Sequence, residues 1–278
     1  MTESEPKVLV GCPTFAGHEK WLKPFLSQHQ KYDILLIDNT VKEFEPRAQE
    51  FNKTLHTLAS ASTYQKPGTL TVERLLWDPR KQWYIYMLAD CWNRCLEYAT
   101  ENDYDYYLWT ATDIFLDQNG GSVQELIDTG LDVVAYPTNV YRQDGPPSVY
   151  KTEWQIWNEK FNKFLLDHMT WDELAEIKKS DEPIRKVHGA IGYTLISRKV
   201  FSDKRIRFDY PKDGDHTFGE DLIFLQKLKE HQYDYFVDSR HRAKNYTEPT
   251  LYMGKLRQVY KEVHGEELNA RENKIVNG

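Results

Sequence analysis

Five short stretches of this chain end in residues able to do chemistry: CPTF at 12–15, IDNT at 37–40, TATD at 110–113, GED at 219–221 and SRHRAK at 239–244. Bare carboxylates such as Asp38, Asp113, Glu220 and Asp221 can accept a proton or bind a hard cation. Arg240, Arg242 and Lys244 stand together in an otherwise acidic protein, a grouping that suits a phosphorylated ligand. The stretch DYDYYLWTATDIFLD (103–117) poses the question most sharply. Its first half buries Tyr106, Leu108 and Trp109, and its second half leaves Asp113 at the end of the run. A rigid strand ending on an acid is a way to hold that carboxylate still.

The elements that must position these residues alternate. KVLVGC (7–12), ended by Pro13, and YDILLID (32–38) are continuous apolar runs, as buried strands are. TLTVERLLW (69–77), the 103–117 run, LDVVAYP (131–137), VHGAIGYTLI (187–196) and YDYFVD (233–238) read as further strands. Helices are expected around Trp21–His29, from Pro46 through Ser60, and over 122–129 and Gly219–Glu230. Between Lys81 and Glu101, the spacing of Ile85, Leu88, Ala89, Trp92, Cys95, Leu96 and Ala99 predicts a long amphipathic helix. The polar, Trp-rich region 141–182 is read as two helical pieces, KTEWQIWNEKFNKFLLD and TWDELAEIKKS, and a weak helix is read over Leu251–Val263. Strands alternating with helices imply an α/β fold with a mostly parallel sheet flanked by helices. Thr14, Asp38 and Asp113 then gather at the carboxyl edge of that sheet, where such folds bind ligands.

Composition narrows the class. The chain has 278 residues, a net charge of −7 and 14% aromatic residues. The charge argues against a broad nucleic-acid surface. No run approaches the roughly 20 apolar residues of a membrane span, and MTESEPK has no apolar signal region. The three cysteines, Cys12, Cys91 and Cys95, form no disulfide framework, so a reducing, cytoplasmic setting is expected.

The order VLVGCPTF, LLIDNT, WTATDIFLD, HGAIGYTLISRKVF and FGEDLIFLQKL resembles family 2-type glycosyltransferases of the GT-A fold, over roughly residues 7–245. The resemblance implies a Rossmann-like nucleotide-diphospho-sugar transferase domain over 1–250, with a donor half (about 1–117), an acceptor half (about 118–250) and a tail (251–278). It implies an inverting enzyme using a nucleoside-diphosphate sugar, a UDP-sugar being favoured, with Mn2+ or Mg2+. Ala111-Thr112-Asp113 matches the acidic D-x-D triplet with its first acid missing, so Asp113 would hold metal and diphosphate beside Thr112. Pro13 and Thr14 would border the base; Asp38 and Asn39 would bond base or ribose; Arg80 and Arg94 would meet base or diphosphate. Asp221 matches the general base, with Glu220 orienting the acceptor. His188, Gly189 and Trp154 would lie on the acceptor side, with Gly192, Trp157 and Trp171 nearby. His241, or Asn245 at nearer the usual spacing, would complete the metal site. His216, beside Asp213 and Asp215, is read as part of a lid loop.

Two rivals share parts of this pattern. A sugar nucleotidylyltransferase would want a glycine- and lysine-rich phosphate loop where this chain has CPTFAGHEK. A non-catalytic carbohydrate-binding relative would account for the degraded triplet. The acceptor stays open among a glycan, a small molecule, a protein and a modified nucleobase.

Overall fold

Alternating apolar runs and amphipathic stretches build the first half. The computed structural model describes residues 5–41, 47–60, 68–76, 78, 84–117, 121–139, 145–151, 156–158, 163–165, 167–209 and 219–246, with backbone alone at 84, 85, 156–158 and 163–165. Strand β1 (Val8–Thr14) is buried along its whole length and leads into a 3-10 turn (Ala16–His18) and helix α1 (Glu19–Gln28). Then come β2 (Asp33–Asp38), α2 (Ala48–Ser60), β3 (Leu70–Arg74), α3 (Tyr84–Glu101) and β4 (Tyr106–Trp109). α3 buries Ala89, Trp92, Cys95, Leu96 and Ala99 at the helical spacing expected, with Met87 and Cys91 added to the buried face and Leu88 only partly buried.

The strand β1 extends two residues past the expected end, through Pro13, and the reason is directional. Lys7 O accepts from Tyr106 N of β4, whereas Thr14 O accepts from Asn39 N after β2. Odd-numbered residues of β1 therefore direct their backbone groups toward β4. The β1–β4 register stops at Gly11↔Trp109, so Pro13 lacks an N–H only where no partner strand remains.

The second half is less regular. It runs β5 (Ile114–Leu116), α4 (Val123–Ile127), β6 (Val133–Tyr136), β7 (Val149–Tyr150), β8 (Ile156–Asn158), β9 (Lys163–Leu165), α5 (Trp171–Lys179), β10 (Ile184–Val187), β11 (Gly189–Ala190), β12 (Tyr193–Ser197), α6 (Arg198–Phe201), α7 (Glu220–Glu230), β13 (Tyr235–Asp238) and β14 (Ala243–Asn245). The first Trp-rich piece is not a helix: β8 and β9 pair antiparallel, Trp157 opposite Phe164. The second piece is helical and opens on a capping box between Thr170 and Glu173. The single strand expected over 187–196 is broken into β11 and β12 at Gly192, whose φ is 128°.

One eight-stranded sheet, in the order β10-β13-β6-β12-β4-β1-β2-β3, passes through both halves. It is mixed, not mostly parallel. β3, β2, β1 and β4 are mutually parallel, as are β6 and β13, while β12 is antiparallel to both its neighbours and β10 to β13. Tyr193 stands opposite Tyr136, so the chain re-enters the sheet at the edge where β6 leaves it and must run back the other way.

The aromatic richness is largely core. Tyr107, Tyr136 and Tyr193 are among the largest fully buried side chains. Each satisfies its hydroxyl, on Gly11 O (3.1 Å), Ser122 O (3.0 Å) and the His29 ring (3.0 Å) respectively. Among the described residues, no helix is long and apolar enough to cross a membrane.

Candidate active site

Three of the expected stations reach one edge because β1, β2 and β4 are parallel. Thr14 ends β1 opposite Asp38, which ends β2. Beyond β4, Thr110, Thr112 and Asp113 are all buried. The turn is closed by Ile114 N donating to Ala111 O, and Tyr246 N donates to Asp113 O at 2.9 Å. That bond continues the antiparallel ribbon of β14 on β5, in which Asn245 faces Ile114. Asp113 thus has backbone support from both sides.

A side chain from the turn after β1 approaches its carboxylate. His18 Nε2 lies 3.9 Å from Asp113 Oδ2, and its Nδ1 shares a 2.6 Å hydrogen bond with Thr112 Oγ1. The Phe15 ring lies 4.1 Å from the imidazole, centroid to centroid. Burial pushes the imidazole below its ordinary pKa, against an opposing pull from Asp113. Sequence reasoning missed His18. The available signal was a lone histidine four residues past a strand end in PTFAGHE.

Asp38 is fully buried and its two oxygens are engaged: Oδ1 by Thr40 N at 3.0 Å and Oδ2 by Asn52 Nδ2 at 2.9 Å. Asn39 Nδ2 contacts Met87 Sδ at 3.0 Å. This pair ties the β2 loop to α2 and α3. Thr14 Oγ1 and Thr110 Oγ1 are buried with no hydrogen-bond partner among the described residues.

The acid pair opens α7. Gly219 caps the helix in extended conformation, and a Cβ there would lie 2.5 Å from Asp221 Oδ1. The absent side chain lets the Asp221 carboxylate fold back onto Leu222 N, at 2.7 Å. Glu220 is buried and faces the Trp92 side chain of α3, which favours its charged form. Burial raises both carboxyls, and the Asp221 charge raises Glu220 further. One turn along α7, Phe224 packs edge-on against Trp109 at 5.5 Å, and Trp92 does the same at 5.9 Å. The first turn of α7 is thereby fixed beside the end of β4, four residues before Asp113.

Other expected residues have different surroundings. Arg94 donates to both oxygens of Glu73 (2.7 and 2.8 Å) and to Glu101 (3.0 Å). Arg240 is held bidentately by buried Asp238, and Arg242 and Lys244 both grip Asp117. His241 faces Glu125 at 3.6 Å and the edge of Tyr136. Asp113 sits at the opposite end of the β14–β5 ribbon. His188 is buried, its N–H on Tyr150 O. A Cβ at Gly189 would meet Leu225 Cδ1 at 2.5 Å, so this glycine admits α7 to the sheet. Arg80, Trp154, Asp213, Asp215, His216 and the tail 251–278 lie outside the described residues. Among the described residues, no three His, Cys, Asp or Glu side chains gather as a metal cluster. Asp113 and His18 are a carboxylate and an imidazole, a donor set suited to a divalent cation whose other positions are filled by ligand oxygens and water.

No protein-family model and no curated protein matches the chain. Among solved structures it is similar to A197 from STIV, at 14% identity over 87% of this chain and 86% of that one, with a TM-score of 0.44. It is also similar to GalNAc-T7, crystallised with UDP, GalNAc and Mn2+, at 12% identity over 93% of this chain, with a TM-score of 0.53. The chain has a GT-A-like fold. It spans about half of the GalNAc-T7 chain, 48%, and at this identity the likeness is one of fold.

Proposed function

We propose that this protein is a metal-dependent, inverting glycosyltransferase that moves a sugar from a nucleoside-diphosphate sugar, with a UDP-sugar favoured, to an acceptor hydroxyl. The observation that carries the reading is the raised carboxyl pair at the start of α7, packed beside the end of the strand that leads to Asp113. A base must be ionised to work, and Asp221 is the less raised of the two. Glu220 keeps its proton, so it can donate a hydrogen bond to an acceptor oxygen while Asp221 takes the acceptor proton. That oxygen attacks the anomeric carbon as the bond to the diphosphate breaks, inverting the centre in one displacement. Asp113 would hold the cation, which when bound offsets the charge of the departing diphosphate. Thr14 and Thr110 offer hydroxyls on the donor edge. GalNAc-T7, a neighbour in fold, was crystallised with UDP, GalNAc and Mn2+, which is consistent with the donor class.

Calorimetry with Mn2+ and UDP, GDP or TDP, followed by donor hydrolysis, tests this. The wild type is expected to bind one nucleotide only with metal and to hydrolyse its sugar conjugate. Asp221→Asn should lower turnover by about 10²–10⁴-fold with nucleotide affinity kept; Asp113→Asn should lose both. A wild type that binds none of the three nucleotides would overturn the reading.

A further inference from the structure

We propose that His18 is a second protein ligand of the cation held by Asp113, and that it makes the site prefer Mn2+ over Mg2+. This rests on the reading above and adds a residue that the triplet alone does not supply.

The spacing is the first argument. An ion pair between imidazolium and carboxylate closes to about 2.8 Å, whereas His18 Nε2 and Asp113 Oδ2 stand 3.9 Å apart. Two donors each about 2.1 Å from one cation are about 3.0 Å apart at a right angle and about 4.2 Å apart in line. The observed gap falls within that interval and is too long for a hydrogen bond.

Orientation is the second. A ligating histidine is held by the hydrogen bond of its other nitrogen. Here Nδ1 is taken by Thr112 Oγ1, from the residue adjacent to Asp113. With the Nδ1 proton donated there, Nε2 carries the lone pair on the side of the carboxylate. The turn that carries the ring is also fixed: His18 N donates to Phe15 O at 2.8 Å, and Ala16 N donates to Thr40 Oγ1 at 3.0 Å. Side-chain exposures of 17% for His18 and 5% for Asp113 leave the pair sheltered yet reachable.

Selectivity follows from ligand chemistry. Carboxylate oxygens serve Mg2+ and Mn2+ alike, but an imidazole nitrogen favours the transition ion. Losing the imidazole should therefore weaken Mn2+ binding far more than Mg2+ binding.

Spin-echo spectroscopy of Mn2+ on the whole protein, alone and with UDP, tests the proposal without any activity assay. The expected result is a histidine-nitrogen modulation in the wild type that disappears in His18→Ala and His18→Gln. Calorimetry should show Mn2+ affinity down about tenfold or more and Mg2+ affinity almost unchanged. Near-ultraviolet circular dichroism identifies which of the two variants is folded, and the wild-type spectrum is decisive by itself. Mn2+ and UDP bound without a nitrogen signal, or with one that persists in a folded variant, overturns the role of His18 alone. If the wild type binds neither Mn2+ nor Mn2+ with UDP, the glycosyltransferase reading falls too.

Discussion

Glu220 and Asp221 make protonation part of how the chain folds. Burial pushes Glu220 up to about 8 and Asp221 up to about 6, from ordinary values of 4.5 and 3.8. The folded chain therefore keeps protons that the unfolded chain has released, and stability falls as pH rises from the ordinary range toward the raised values. Melting temperature should decline between about pH 5 and about pH 8 in the wild type and decline less in Glu220→Gln. Equal slopes would refute the burial argument. Turnover should rise with pH through about 6, the limb belonging to the pair as a unit. At this scale the sequence disclosed the acids but not their neighbours. GED at a helix start announces itself, whereas Trp92 and His18 meet Glu220 and Asp113 only across the fold.

Elements differ in how much of their placement is local. β1, β2 and β6 were readable because a strand buried on both faces is a continuous apolar run, and α3 because its stripe repeats at helical spacing. β8 and β9 were not: their pairing brings residue 157 to residue 164, and aromatic residues spaced along a polar stretch fit either period. Gly192 explains the break that periodicity hid. Its φ of 128° belongs to glycine, and a Cβ would sit 2.5 Å from Thr138 Oγ1. Gly192→Ala should cost about 1–3 kcal/mol in urea denaturation, and an unchanged midpoint would show that the β11–β12 link tolerates another backbone path.

At the scale of the molecule, one mixed sheet joins a parallel first half to a second half of alternating direction. The sequence carried the parallel side, because each βαβ unit is self-contained; the reversal at β12 depends on where a distant segment re-enters. The core also encloses all three thiols. Cys12, Cys91 and Cys95 are free and buried, and burial raises each thiol, Cys95 up to about 12. Ellman's reagent should therefore find no fast-reacting thiol in the native protein and three after denaturation. A rapid native reaction would mean that α3 opens from β1.

The grip of Arg242 and Lys244 on Asp117 has a consequence for ionic strength. These half-exposed pairs clasp the far end of the β14–β5 ribbon, whose near end carries the amide that steadies Asp113. Added salt screens such pairs. It would slacken the ribbon from its outer end, so that salt sensitivity reaches the turn that holds Asp113 mechanically, through the backbone.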